Sequence, residues 1–297
     1  MIMPKKIAVI NDLSSFGRCS LVASISVLAA MGIQPCPLPT AILSAQSEYP
    51  SYYFDDYTEH MKDFRSEWEK MGQHFDGIYT GYVASEAQIL QIFHFLDTFK
   101  TNANFLLVDP IMGDDGITYD MFTPELLENM KELAARADII TPNLTEFCLL
   151  TGHDYHEISS IRDRQILLEK LKDIANAYIA GVNHPVQIII TGIHIKDSNT
   201  DEQAELIGNL YIGNNQTFFH AAPTIGGSYS GTGDLFASCL CGGIARGEDI
   251  SSIIPRTVNF LSHALADSAA QNVPVNDGVN YEQYLPLLMT NAQLSGV

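Results

Sequence analysis

Ile140-Thr141-Pro142-Asn143-Leu144-Thr145-Glu146 decides the fold: an apolar run stops at Thr-Pro, and Asn143 stands three positions ahead of Glu146, the spacing of a helix capping box. A buried strand thus runs directly into a capped helix at 144–151, the junction from which parallel α/β sheets are built. The same alternation recurs in both directions. Continuous Val/Ile/Leu-rich runs predict strands near 6–11, 36–43, 75–80, 104–109, 138–141 and 186–191. Helical patterns lie between them near 18–31, 58–71, 86–100, 124–136 and 160–180. Ser85-x-x-Gln88 reads as a second capping box, and Thr123-Pro124 puts Pro at a first helical position. Beyond 192 the pattern changes: 205–211 and 216–220 flank Gly213-Asn214-Asn215 as a hairpin that adds antiparallel strands at one edge. Small-residue helices at 235–246 and 250–271 and a last helix around 281–290 follow, giving a single domain over 1–297 with no Pro/Ser-rich linker and no repeat. The polar stretch 196–203 is the candidate for a mobile flap.

Composition bounds the function. The 297 residues carry 16 Lys plus Arg against 35 Asp plus Glu, a net charge of -19, which argues against nucleic acid or an anionic membrane as partner. A phosphate-rich ligand must therefore be held locally. At 46% hydrophobic and 17% charged the chain is an ordinary globular one. The start lacks the pattern of a secretory signal, and no run has the roughly 18 apolar residues of a spanning helix. Cys19, Cys36, Cys148, Cys239 and Cys241 are scattered and odd in number, which suits reduced thiols in the cytoplasm and no zinc or disulfide framework.

Generic catalytic motifs fail. There is no Gly-Lys pair for a P-loop, Gly231-x-Gly233 lacks the third glycine of a dinucleotide fingerprint, and Gly-x-Ser-x-Gly and HExxH are absent. His153 and His156 read as surface residues, and Cys239 and Cys241 as core. Ser230-Gly231-Thr232-Gly233-Asp234-Leu235-Phe236 is more informative, because glycines at 226, 227, 231 and 233 let backbone amides line a concavity at a helix start. Asp234 in that first turn would by itself be a dipole-complementing carboxylate. Beside an anion-binding nest it reads instead as a base of ordinary pKa facing a phosphate. Val108-Asp109-Pro110-Ile111-Met112-Gly113-Asp114-Asp115 and the 140–146 segment put more acidic and amide groups at strand ends, where open α/β sheets bind ligands. Asn143 and Glu146 read equally as a capping box and as a site. No Lys or Arg occurs in 101–130 or 137–161, so carboxylates meeting there would call for a cation such as Mg2+.

Ile7-Ala8-Val9-Ile10-Asn11-Asp12-Leu13-Ser14-Ser15-Phe16-Gly17, Ser44-Ala45-Gln46-Ser47, Thr80-Gly81-Tyr82, Asp109 to Asp114, Thr141 to Glu146 and Gly231 to Asp234 follow the order found in pyridoxal kinases of the ribokinase superfamily. The chain resembles that family over 5 to about 270. The resemblance implies a ribokinase-like α/β fold, with a mostly parallel central sheet flanked by helices on both faces, antiparallel edge strands and no separate lid domain. It implies ATP-dependent phosphorylation of the 5′-hydroxymethyl group of pyridoxal, pyridoxine or pyridoxamine in vitamin B6 salvage, by a homodimer with Mg2+ and a monovalent cation as a further ion to test. By the same resemblance Asp234 is the catalytic base and Gly231, Thr232 and Gly233 form the anion hole. Asp109 and Glu146 would organise Mg2+, Asp114, Tyr119, Asn143 and Thr191 would meet the nucleotide, and Asp12, Ser47 and Tyr82 hold the vitamin positions. Two departures stand out: Asp12 where the family commonly has Ser, and Gln46 where it has His. A carboxylate at 12 suits a protonated ring nitrogen or an amine, tilting the expectation toward pyridoxamine or an aminopyrimidine. Hydroxymethylpyrimidine kinases are the nearest rival, although they typically carry Cys where this chain has Asp234. A sugar or nucleoside kinase would need an added β lid, and a silent vitamin-binding protein would have no use for Asp234.

Overall fold

A computed structural model describes residues 4–119, 122–196 and 205–289. The chain groups into two compact units, Met1–Leu106 with Ile225–Val297, and Leu107–Thr224. All but the first residue of the expected flap at 196–203 lies outside the described residues.

The first unit opens with β1 (Lys6–Ser14), α1 (Ser20–Ala30), β2 (Gln34–Leu43), β3 (Phe54–Asp56), α2 (Thr58–Lys70), β4 (Gly77–Thr80) and α3 (Glu86–Phe99). β1 lies between β4 and β2, parallel to both, and its Ile7, Ala8, Val9 and Ile10 are fully buried. That two-sided burial is why the run reads as continuous and not alternating. β2 carries Pro35, Pro37 and Pro39, every second residue, so the missing N–H groups all fall on one side while the others pair with β1. β3 pairs antiparallel with only Ala41–Leu43. An aromatic cluster ties α2 to α3, with Trp68 5.3 Å from Phe75 and 6.0 Å from Phe95, contacts worth about 0.5–1.5 kcal/mol each beyond their burial.

The second unit holds β5 (Phe105–Val108, which begins just before it), β6 (Gly113–Asp114), β7 (Ile117–Thr118), α4 (Pro124–Ala135), β8 (Ile139–Ile140), α5 (Leu144–Thr151), α6 (Tyr155–Ser159), α7 (Arg164–Gly181), β9 (Gln187–Lys196), β10 (Glu205–Gly213) and β11 (Gln216–Pro223). β5, β8 and β9 are parallel, and β10 and β11 add antiparallel strands beyond β9. The chain returns to the first unit as α8 (Thr232–Ala245), α9 (Ile250–Ala270) and two 3-10 helices, Val275–Asp277 and Glu282–Leu288.

Several expectations are adjusted. Around 281–290 the chain forms a 3-10 helix and not an α-helix, since Pro286 sits inside it without an N–H to donate. The helix expected from 160 starts at Arg164 because the Asp163 side chain accepts from Ile166 N, and Asp154 caps a separate short helix before it. The hairpin turn is Asn214-Asn215, with φ of 49° and 60°, while Gly213 still pairs with Gln216. Only half of the second capping box forms: Ser85 accepts from Gln88 N at 3.4 Å, but Gln88 Oε1 accepts from Ala84 N at 2.7 Å and its amide donates to Thr40 O at 2.8 Å.

Candidate active site

In the first unit the C-terminal end of β1 meets the starts of two helices. α1 follows Cys19, whose side chain makes no capping bond, and its first residue, Ser20, takes a left-handed φ of 53°. The Ser20 N–H, left over at a helix start, donates to Asp234 Oδ2 at 2.8 Å. Asp234 thereby caps α1 from the first turn of α8. Its other oxygen, Oδ1, accepts from Asn11 Nδ2 at 2.9 Å.

The Asp234 carboxyl is pushed up to about 6. Burial is the largest cause, the Asp12 charge adds to it, and the Ser20 N–H, the Asn11 amide and the Tyr79 hydroxyl oppose it. An ordinary pKa was expected from a first-turn position; covering by β1 and α1, which no local signal reveals, overrides the helix dipole.

Asp12 is 5% exposed, accepts from the Ser14 hydroxyl at 2.7 Å and is raised by burial above the usual carboxylate range. The half-buried Tyr82 presents its N–H to Asn11 Oδ1 at 2.8 Å, and burial followed by the charge of Asp12 pushes its phenol up. Asp12, Tyr82 and Asp234 therefore belong to one cluster. Ser47 does not join its hydrogen-bond network; it is exposed, next to Gln46, whose amide reaches Ser230 Oγ at 3.4 Å and Asn276 O at 3.3 Å. Gln46 thus tethers the glycine-rich loop. That loop ends at Gly231, φ 82°, where a Cβ would stand 2.2 Å from Arg18 O. Gly231 offers α8 no side-chain cap, so the amides of Thr232, Gly233 and Asp234 begin the helix without intrahelical acceptors. The Thr232 hydroxyl donates to Tyr229 O at 3.2 Å.

The second unit gathers the other acidic positions. Asp109, beyond β5, accepts from the Thr141 hydroxyl at 2.7 Å. The capping box of α5 is complete: Glu146 N donates to Asn143 Oδ1 at 2.9 Å and Asn143 N to Glu146 Oε2 at 2.8 Å. Glu146 does more than cap, because its Oε1 accepts from Met112 N at 3.1 Å and Asn143 Nδ2 donates to Gly113 O at 2.8 Å. One residue pair therefore fixes the helix start and the β6–β7 hairpin. The hairpin turns at Asp115 and Gly116, φ 48° and 81°, and Gly116 N donates to Thr145 Oγ1 at 2.8 Å. Thr191 bridges to Asn143, and its N–H reaches Pro142 O at 2.9 Å. Tyr119 is 42% exposed and its N–H donates to Met112 O at 3.0 Å. Burial, then the charges of Asp109 and Asp114, hold Glu146 well above the usual carboxylate range.

Hard oxygen donors pressed together this way fit Mg2+ held by one or two carboxylates with phosphate and water completing the shell. Among the described residues no three His, Cys, Asp or Glu side chains converge as a preformed cage. Both Glu146 oxygens accept from backbone amides and Asp109 accepts from Thr141; these two carboxylates are the ones that could hold the ion.

The structure brings Asp12, Tyr82 and Asp234 together in one unit and Asp109, Asn143, Glu146 and Thr191 in the other. Asn11, Ser20, Thr141 and Thr145 were not singled out by the sequence. Their roles depend on partners far along the chain, 223 positions for Asn11 and Asp234.

Comparison with known proteins gives the class. The chain belongs to the phosphomethylpyrimidine kinase family, whose model matches residues 19–280, and it is a kinase. Pyridoxal kinase of Dictyostelium discoideum is 25% identical over 94% of this chain and 92% of its own. A Bacteroides thetaiotaomicron protein described as a candidate phosphomethylpyrimidine kinase, solved in a form with pyridoxal, is 32% identical with a TM-score of 0.85, covering 96% of each chain. The solved pyridoxal kinase of Lactobacillus plantarum is 28% identical with a TM-score of 0.81, again over 96% of each chain. The fold is accordingly the ribokinase-like α/β one, a mostly parallel central sheet flanked by helices. Among the described residues no helix is long and apolar enough to cross a membrane.

Proposed function

We propose that this kinase transfers the terminal phosphoryl group of ATP to the 5′-hydroxymethyl oxygen of pyridoxal, pyridoxine or pyridoxamine. The observation that carries the reading is Asp234: a buried carboxyl near pKa 6, held by two donors at a glycine-led helix start. A base of that pKa is mostly ionised at neutral pH yet is basic enough to take a hydroxyl proton as the oxygen attacks. The hydroxymethyl oxygen bonds to the γ-phosphorus, the bond to the β-phosphate oxygen breaks, ADP leaves, and the proton resides on Asp234 until it passes to water. Gly231, Thr232 and Gly233 at the start of α8 would form the anion hole that stabilises charge on the transferring group. Asp109 and Glu146 would hold Mg2+, which supplies neutralisation of the phosphate oxygens. Asp114, Tyr119, Asn143 and Thr191 are assigned to the nucleotide, and Asp12, Ser47 and Tyr82 to the vitamin, Tyr82 by its aromatic face. A homodimer in the cytoplasm goes with this reading.

The hydroxymethylpyrimidine/phosphomethylpyrimidine kinase of Aquifex aeolicus, 26% identical over 65% of this chain, supports a second substrate, hydroxymethylpyrimidine, which the same base could serve. ADP release from Mg-ATP with pyridoxal, pyridoxine, pyridoxamine and hydroxymethylpyrimidine in parallel tests both. The B6 vitamers are expected to turn over faster, with a loss of about 10²–10⁴-fold in Asp234→Ala. Turnover of the pyrimidine alone, or full activity in that variant, sinks the proposal.

A further inference from the structure

We infer that Asn11 is a positioning residue whose single carboxamide holds the Asp234 carboxylate in register with the backbone of Asp12 and Tyr82; this rests on Asp234 being the base. Its Oδ1 accepts two backbone N–H groups, from Asp12 at 3.0 Å and from Tyr82 at 2.8 Å. Only the nitrogen side is then left to face Asp234, which it meets at 2.9 Å. The orientation of the amide is dictated by these partners, because a flipped carboxamide would set an oxygen against a carboxylate and an NH2 against two N–H donors. Asn11 is fully buried, and the floor beneath it is Gly81, where a Cβ would come within 2.5 Å of Asn11 Nδ2 and 2.6 Å of its Cγ. Gly81 is thereby explained as the space that the carboxamide occupies.

The arrangement links the ends of β1 and β4 to the start of α8. The titratable groups facing Asp234 are Asp12 from β1, Tyr79 from β4 and Cys19 at the head of α1. Of these, the nearby anion Asp12 disfavours the ionised base, which makes the neutral donor from Asn11 consequential. Without it the carboxylate keeps the Ser20 N–H, loses the bond on Oδ1 and gains freedom to turn.

Two variants separate positioning from structure. Asn11→Asp retains both acceptor bonds to Asp12 and Tyr82 and replaces only the donor, placing an oxygen toward Asp234. Gly81→Ala leaves Asn11 in place chemically and pushes its amide aside, without adding a charge. In both, the acid limb of kcat/KM, expected near pH 6 in the wild type from the Asp234 carboxyl, should move up by about one unit, a tenfold loss on the acid side that recovers at high pH. The 13C titration midpoint of the Asp234 carboxyl, assigned with Asp234→Asn, should rise in Gly81→Ala with no substrate present. If Asn11→Asp does not fold, Gly81→Ala carries the test alone. An unmoved acid limb with a uniform loss at every pH, or no loss, overturns the inference while leaving the proposed function standing. A wild type inactive on every alcohol overturns the proposed function, and the carboxyl midpoint then decides the role of Asn11, an unmoved midpoint overturning it.

Discussion

Asp12 stands where the resemblance to pyridoxal kinases leads one to expect Ser, and its surroundings give a carboxylate there a chemical consequence. The carboxyl is buried, bonded to Ser14 and close enough to Tyr82 to push up the phenol. A charge-assisted bond from such a group to a substrate amine or a protonated ring nitrogen contributes about 1.5–3 kcal/mol, roughly twice what a neutral contact gives. Asp12→Ser is therefore expected to lower kcat/KM for pyridoxamine relative to pyridoxine by about tenfold or more, measured with both vitamers in one preparation. Equal ratios in wild type and variant would remove Asp12 as a selector. At this scale the sequence shows residue type and place along the chain, and that suffices for Asp234, which announces itself by the glycines before it. Asn11 and Ser20 stay hidden because each acts on an atom more than 200 positions away. The left-handed backbone of Ser20 is equally silent, since a serine there gives no sign of its φ.

Among the elements, helix starts decide most. α5 and α4 carry their own caps, so the segments 140–146 and 123–126 read correctly in isolation. α1 and α8 have no side-chain caps of their own, and the carboxylate that caps α1 is the one assigned to catalysis. Gly231 makes that sharing possible by bringing the loop hard against the Arg18 carbonyl in a left-handed turn. Gly231→Ala meets both a strained φ and a backbone oxygen that cannot swing away, and should destabilise by about 2 kcal/mol or more while displacing α8 and abolishing turnover. Thermal unfolding and ADP release check this together; a wild-type melting temperature would show that the loop has room. The strands that escaped sequence reading are the short ones, β3, β6 and β7, too brief to carry a period. Asp115-Gly116 is a hairpin signal, but β6 and β7 supply only two residues each beside it.

Taken over the whole chain, burial of Asp12, Asp234 and Glu146 ties stability to pH in a direction opposite to ordinary acid loosening. Each is raised in the native state, so between its unfolded and native pKa the folded chain binds more protons than the unfolded one. Stability from these groups is present on the acid side and is lost as the pH rises through the native values. The surface carboxyls Asp56 and Asp76 are lowered and act the other way, weakly because they are solvated. The melting temperature is expected to rise as the pH falls from about 7 to about 5. For Asp234 alone, a native value of about 6 against 3.8 corresponds to a penalty of the order of 3 kcal/mol at neutral pH. Asp234→Asn should be inactive and more stable than wild type at pH 8, with the gap shrinking toward pH 5; a constant gap would refute the assignment. Net charge of -19 points the same way, since protonation relieves self-repulsion.

The five thiols give the molecule an internal clock. Cys19, Cys148, Cys239 and Cys241 are buried, and burial pushes Cys19 and Cys239 up to about 12 and Cys148 to about 11, while Cys36 is only half-buried. Burial raises the Cys36 thiol as well, so its partial exposure is what makes it the thiol expected to be alkylated first. Modification of Cys19, Cys239 or Cys148 is expected to require local opening around Asp234, α8 or α5 respectively, which alkylation rates would report.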